Sequence, residues 1–413
     1  MAHPEPFARP LEDAWRPVLE AVLRRLGAPG LDDVGRLAPR LAELSRAYNE
    51  GRAGDAPDRG PTPLEARVAF SFARDVPKGG AAVAELVAAG VLKVPEDRPL
   101  RILDLGAGLG AMTWGVVRAL AAAGAKGSIE ALLVDSDESA LAAATRIHAE
   151  ARESEALGLG ALSIGIRTRT TRLGEGEAFA PADLVILGQV LSELDTTLEP
   201  AARGARHASL VASLLRSAAP NGTVVVVEPA LRARTRHLHA VRDALLASEG
   251  APVVFAPCLH ARPCPALASE GDWCHEDRPV DLPAWLVPLA RAAGLRFQGL
   301  TFSYLVLRRE GETLAARVAA EEVRGTRESR LHLRVVSDTM PSKGKVELFG
   351  CTERGDRVRL RRLDRDAGEA SAAWDELRRG DVVSLSGPPG ATSIDERGRL
   401  ARDTFVDVHR TRS

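Results

Sequence analysis

The chain has 413 residues, 45% hydrophobic and 27% charged but only 4% aromatic, which is length enough for two or three domains with mainly aliphatic cores. Its formal net charge of −1 excludes a protein that binds nucleic acid through bulk positive charge. No apolar run reaches membrane-spanning length, which excludes an integral helical membrane protein.

The first residues, Met1-Ala-His-Pro-Glu-Pro-Phe, show no basic stretch followed by an apolar one. A secretory signal is therefore not expected, and the expected compartment is the bacterial cytoplasm. Apolar residues recur at helical spacing over Leu11–Leu26 and Leu31–Tyr48. A Gly/Asp/Pro/Arg linker follows at 51–61. Ala66–Ala73 and Ala81–Val91 read as two more helices, separated by Asp75-Val-Pro-Lys-Gly-Gly. From Leu100 strands alternate with helices. Strands are expected at 101–105, Ile129–Val134, Leu162–Thr170, Asp183–Gly188 and from Gly222 to Glu228. Helices are expected at Met112–Ala123, Ser139–Arg152 and Ala205–Ala218. This alternation predicts a parallel α/β sheet. Gln298–Leu307 is a late strand, and Leu314–Arg324 a charged helix. Short strands at Leu331–Val336, Lys345–Phe349, Arg357–Leu363 and Asp381–Leu385 predict a small β-barrel. The expected organisation is an N-terminal helical region (1–98), an α/β domain (99–323) with a cysteine-rich insertion (254–279), and a C-terminal β-barrel-like module (324–413).

Two segments carry chemistry. Leu103-Asp-Leu-Gly-Ala-Gly-Leu-Gly follows a strand and opens a helix, with glycines at Gly106, Gly108 and Gly110 and a carboxylate at Asp104. Such a turn needs residues that tolerate positive φ and let a ligand approach the backbone. The G-x-G-x-G spacing differs from the dinucleotide G-x-G-x-x-G. It resembles motif I of class I S-adenosylmethionine-dependent methyltransferases. Asp135 ends the second strand, where a carboxylate can accept both ribose hydroxyls; its alternative role is to cap the next helix, for which Asp137 also qualifies. Gly188, Gln189, Ser192 and Glu193 follow the fourth strand and lie where ligands bind in open α/β sheets. Glu193 is a candidate general base or a surface residue, and the sequence assigns no catalytic residue.

The second segment is Cys258-x5-Cys264-x9-Cys274, a Pro-rich loop with three of the four cysteines in the chain; Cys351 is the fourth. Cysteines this scarce and this clustered point to a metal rather than to disulfides. The gaps do not fit the close pairs of structural zinc, and four thiolates on irregular loops suit an iron–sulfur cluster. Zinc, with His260 or His275 replacing a thiolate, is the alternative. Because Cys351 lies in the candidate barrel, a site using all four would join that module to the loop.

Taken together, Leu103-Asp-Leu-Gly-Ala-Gly-Leu-Gly, Leu191-Ser-Glu-Leu, Val227-Glu-Pro, Pro257-Cys, Pro263-Cys-Pro, Asp272-Trp-Cys-His and Phe302-Ser-Tyr-Leu-Val-Leu resemble one family. It is the methyltransferase-like family associated with the small subunit of mitochondrial ribosomes, which has bacterial members, and the likeness covers about residues 60–385. The resemblance implies S-adenosylmethionine at Asp104, Gly106, Gly108, Gly110 and Asp135. It implies a four-iron four-sulfur cluster on Cys258, Cys264, Cys274 and Cys351. It also implies association with assembling small ribosomal subunits through ribosomal RNA, with neither membrane nor DNA as partner. The competing expectations are an active methyltransferase of ribosomal RNA or protein, and a zinc-stabilised methyltransferase unrelated to ribosomes. From Arg324 onward 19 Lys and Arg stand against 15 Asp and Glu. Arg357, Arg359, Arg361 and Arg362 are expected to present that charge along one strand, where alternating positions face opposite sides, so that only one subset can touch a given RNA surface.

Overall fold

The computed structural model describes residues 9–50, 63–173, 178–322, 330–387 and 393–409. The linker at 51–61 lies outside these residues, as does the junction at 323–329. The chain forms two compact units, the first comprising residues 1–228 and 278–300, the second residues 229–277 and 301–411. Among the described residues no helix is long and apolar enough to cross a membrane.

The first unit opens with α1 (Trp15–Arg25) and α2 (Val34–Glu50). Trp15, Val18, Leu19, Val22 and Leu23 form the buried stripe of α1. Trp15 packs on Phe72 (5.3 Å) and edge-on to Trp114 (4.9 Å), which fixes the helical region to the elements below it. The next helix is entered through Leu64–Ala66 (α3) and a π-helical turn, Arg67–Ser71, then runs as α4 (Phe72–Ala88). Two helices separated by a Pro-Lys-Gly-Gly break were expected; the structure has one helix through Pro77, Gly79 and Gly80. The physical reason is tertiary. α4 lies so close to α5 (Ala111–Ala122) that a Cβ at Gly79 would overlap the Met112 carbonyl. A Cβ at Gly115 would lie 2.6 Å from the Gly80 nitrogen. The glycines serve the crossing rather than a turn.

Five parallel strands follow: β1 (Leu100–Leu105), β2 (Gly127–Asp135), β3 (Leu162–Thr170), β4 (Leu184–Gly188) and β5 (Thr223–Glu228). Their order is β3-β2-β1-β4-β5. This is the parallel α/β sheet that the alternation predicted, in the class I methyltransferase-like form that the resemblance implied. β1, β4 and β5 are buried along nearly their whole length, as parallel strands covered on both faces must be. The chain order reverses between β1 and β4, the switch point at which open α/β sheets bind ligands. α6 (Glu138–Glu153) and α7 (Pro200–Ser217) make the crossovers.

The second unit begins with α8 (Arg232–Leu246), a helix that the sequence reading did not assign. β6 (Val253–Ala256) leads through a cis Ala256–Pro257 bond into the cysteine loop, which ends at the short β7 (Glu276–Arg278). The chain then returns to the first unit for α9 (Val287–Ala292). β8 (Leu300–Arg308) runs antiparallel to β6, and α10 (Leu314–Glu322) follows.

The C-terminal strands are β9 (Arg330–Val335), β10 (Met340–Ser342), β11 (Lys345–Thr352), β12 (Arg357–Leu363), β13 (Val382–Ser386) and β14 (Phe405–His409). They form an antiparallel sheet of order β10-β11-β9-β13-β14, with β12 also on β11. Among the described residues the strands do not close into the expected β-barrel: β14 pairs with β13, while β12 pairs with β11 and meets Arg399 through an isolated bridge at Arg361. The core under the sheet is filled by Leu333, Val335, Leu348, Leu360, Trp374 and Leu385, so no closure is required to bury it.

Candidate functional site

The glycine turn is built by the backbone. Gly106, Gly108 and Gly110 have φ of +70°, +51° and +76°. A side chain at Gly106 would overlap Val190, and one at Gly108 would come within 2.9 Å of an Arg67 guanidinium nitrogen. The Gly108 N–H donates to Asp135 Oδ2 (2.7 Å), and the Asp137 N–H to Asp135 Oδ1 (2.9 Å). The carboxylate at the end of β2 therefore braces the turn at the end of β1. Asp137 is the helix cap, accepting from the Ala140 N–H at 3.0 Å, so Asp135 is free of that duty. Arg67 reaches Asp137 at 2.6 Å.

Asp104 is wholly buried. Thr113 Oγ1 donates to its Oδ2 at 2.7 Å, while Oδ1 has no partner. Burial pushes this carboxyl up to about 7, against the pull of the Thr113 bonds. The five residues expected at a cofactor are thus gathered at the ends of β1 and β2.

At the end of β4 the expected Gln189 meets two residues of α4 that the sequence reading missed, Asp75 and Lys78. Gln189 takes a left-handed conformation (φ +63°), and its N–H bonds the Val227 carbonyl at 2.6 Å. Its side-chain amide donates to Asp75 Oδ2 (3.0 Å), and Asp75 Oδ1 pairs with Lys78 Nζ (2.7 Å). Lys78 is buried, and burial holds its ammonium below the ordinary range in spite of Asp75. Glu228 accepts the N–H groups of Leu191 and Ser192 at 2.8 and 3.2 Å, which ties Leu191-Ser-Glu-Leu to Val227-Glu-Pro. Glu193 itself is exposed. Asp75 and Lys78 escaped notice because they lie in the stretch taken for a break between helices.

In the second unit, one face of α8 holds the cysteine loop. Arg236 donates to the carbonyls of Ala266, Ser269 and Asp272 at 3.0, 2.6 and 2.7 Å. His239 Nε2 lies 2.9 Å from the Cys274 carbonyl. Arg242 donates to the carbonyls of His260 (2.6 Å) and Arg262 (2.9 Å), and Asp243 accepts the Cys264 N–H (2.8 Å). Positions 236, 239 and 243 share a face by helical spacing. Leu238, Val241 and Leu245 mark the buried side of this helix and were the signal for it. Arg357, on β12, also pairs with Asp272 of the loop.

The four cysteines are free thiols, all within the second unit. Cys351 lies on β11 with its Sγ 3.4 Å from His260 Nε2. Burial pushes the Cys264 thiol up to about 11, with Cys258 adding to it. Burial raises Cys274 and Cys351 as well, and for both Cys258 and Cys264 are the next causes. His260 is pushed down to about 4 by burial and by Arg242, so it is neutral at pH 7. Loop and strand thus bring all four thiols within electrostatic reach of one another. Among the described residues, no three His, Cys, Asp or Glu side chains are arranged to hold a metal ion.

The arginines of β12 are largely paired within the second unit. Arg362 is buried against Asp375 (2.8 Å) and Arg359 pairs with Glu347 (2.9 Å). Arg357 also lies over the Phe349 ring at 4.8 Å. Alternate side chains of a strand face opposite sides, and at least three of these four arginines are matched within the unit.

Residues 65–382 match the family described as Rsm22, "Mitochondrial small ribosomal subunit Rsm22". The chain belongs to this family. No curated protein matches it in sequence. Similar solved structures include the plantazolicin methyltransferase BpumL in complex with SAH, at 12% identity over 68% of this chain and 98% of that one (TM-score 0.31). Another is a precorrin-6y C5,15-methyltransferase from Geobacter metallireducens GS-15, at 11% identity over 56% of this chain and 87% of that one (TM-score 0.28). A third is a putative O-methyltransferase from Nostoc punctiforme PCC 73102, at 22% identity over 50% of this chain and 52% of that one (TM-score 0.27). Overlap at this level carries no argument about activity, and the fold rests on the strand order above.

Proposed function

We propose that this methyltransferase-like chain binds S-adenosylmethionine and an iron–sulfur cluster and serves the assembly of small ribosomal subunits, contacting ribosomal RNA. The observation that carries the reading is the coexistence, in a chain of the Rsm22 family, of a braced glycine turn and four gathered thiols.

The turn suits the cofactor on two counts. Its three glycines hold positive φ values that keep the backbone of the turn free of side chains, and the buried Asp104 Oδ1 lacks a donor. Gly106, Gly108 and Gly110 would face the amino-acid part, Asp104 would receive a donor through Oδ1, and Asp135 would accept ribose hydroxyls. The cofactor supplies an electrophilic methyl group when bound. Methyl transfer to RNA or protein is the weaker reading, because Gln189, Asp75 and Lys78 are bonded to one another where an acceptor would approach.

Cys258, Cys264, Cys274 and Cys351 would hold the cluster. The gaps between these cysteines do not match the close pairs of structural zinc, and four thiols carried by an irregular loop and a strand suit a multi-iron centre better. Such a cluster supplies four metal–thiolate bonds and a redox couple when bound. Burial raises the thiols of Cys264, Cys274 and Cys351, which must release protons to bind it.

Calorimetry with S-adenosylmethionine and co-sedimentation with purified small subunits test the reading. Binding in both, without turnover on the subunits, is the expected result. Folded protein that binds neither would overturn it.

A further inference from the structure

We infer that Arg242 is a positioning residue of the cysteine site, anchoring the loop through two carbonyls while its charge and its remaining N–H serve the sulfur atoms of a bound cluster. This rests on the iron–sulfur reading given above. Arg242 has no exposed surface. A buried guanidinium is costly unless its charge is matched and its donors are used. Nη1 reaches Asp243 Oδ1 at 2.6 Å and the Arg262 carbonyl at 2.9 Å, and Nη2 reaches the His260 carbonyl at 2.6 Å. Nε is buried without a partner.

The two carbonyls belong to the segment between Cys258 and Cys264. The groups that favour its charge are Cys258, Asp243 and Cys264, against the cost of burial. Asp243 also binds the loop through the Cys264 N–H, so one Arg–Asp pair grips the segment at three backbone points. His260 repeats the pattern: its Nε2 meets Cys351 Sγ, and its Nδ1 is buried without a partner. The guanidinium has one carboxylate beside it and an idle donor. A cluster bound as thiolates and sulfides brings negative charge and sulfur acceptors to that place. The more negative, reduced state gains most from both, so the residue raises the reduction potential.

A residue that only anchors the loop would act through its carbonyl bonds alone. Arg242→Lys keeps the charge but not the fork; Arg242→Gln keeps an N–H donor of similar reach but no charge. Iron per chain and midpoint potential are measured on full-length protein purified and titrated without oxygen. The expected result is a Lys variant near the wild-type potential. The Gln variant is expected to be about tenfold less readily reduced, 59 mV lower for a one-electron couple. Loading of the Lys variant alone would support the same conclusion. Equal potentials in all three proteins, or failure of both variants to load, would reduce Arg242 to a loop anchor and overturn the inference. Wild-type protein without an iron–sulfur spectrum would instead remove the parent reading, and this one with it.

Discussion

The glycine turn and the cysteine loop solve the same problem, holding a ligand, by opposite means. The turn is made by contiguous backbone: three positive φ values, a brace from Asp135 to the Gly108 N–H, and the switch point of a parallel sheet. The loop has little regular structure, and side chains of α8 reach its carbonyls one by one. The difference teaches where ligand dependence should fall. A turn fixed by its own backbone is formed without a cofactor, whereas an irregular loop that carries three of the four thiols gains much of its order from what binds it.

The largest expected effect is at the loop. Cys351→Ser removes the one thiol carried by β11 and leaves the other three in place. Iron per chain should fall below half of wild type, and the 258–274 segment should become protease-sensitive. Full iron with unchanged proteolysis would take Cys351 out of the site.

Asp104→Asn sharpens the view of the turn as ready-made. The folded carboxyl titrates near 7 instead of near 3.8. Its neutral form therefore contributes stability that is fully present below pH 3.8 and is lost as pH rises through 7. Asn removes that loss, so ligand-free protein should gain on the order of 4 kcal/mol at pH 8 and nothing below pH 3.8, read by denaturant unfolding. The same variant should bind S-adenosylmethionine more weakly. A gain independent of pH would show that Asp104 is not strained by burial.

Gly108→Val forces a β-branched residue to φ +51° beside Arg67. A stability loss of about 1–3 kcal/mol is expected, together with loss of cofactor binding by calorimetry. Asp135→Ala should be milder in stability and cost about 1–3 kcal/mol in binding, since Gly108 and Asp137 lose their shared acceptor. Unchanged affinity in the Asp135 variant would make its carboxylate a brace only.

Legibility followed the same divide. Strands β1 to β5 declared themselves through apolar runs between turn residues, and β3 and β12 fall on the expected residues. The turn residues were readable because one short segment contains most of them. The cysteines stood out by scarcity. Their scaffold did not: α8 has few apolar positions and many charges, so Arg236 and Arg242 read as surface until the loop is seen wrapped against them. α4 was split because Pro77 and Gly79–Gly80 are breakers locally, and only the crossing with α5 explains them. The barrel was overread because strand spacing does not say whether the first and last strands meet.

Iron and acid-labile sulfide in full-length protein purified without oxygen, with its absorption spectrum, test the central claim most directly. The account predicts close to four of each per chain and the broad visible absorption of an iron–sulfur centre. Stoichiometric zinc without iron, or folded protein with neither metal, would contradict it.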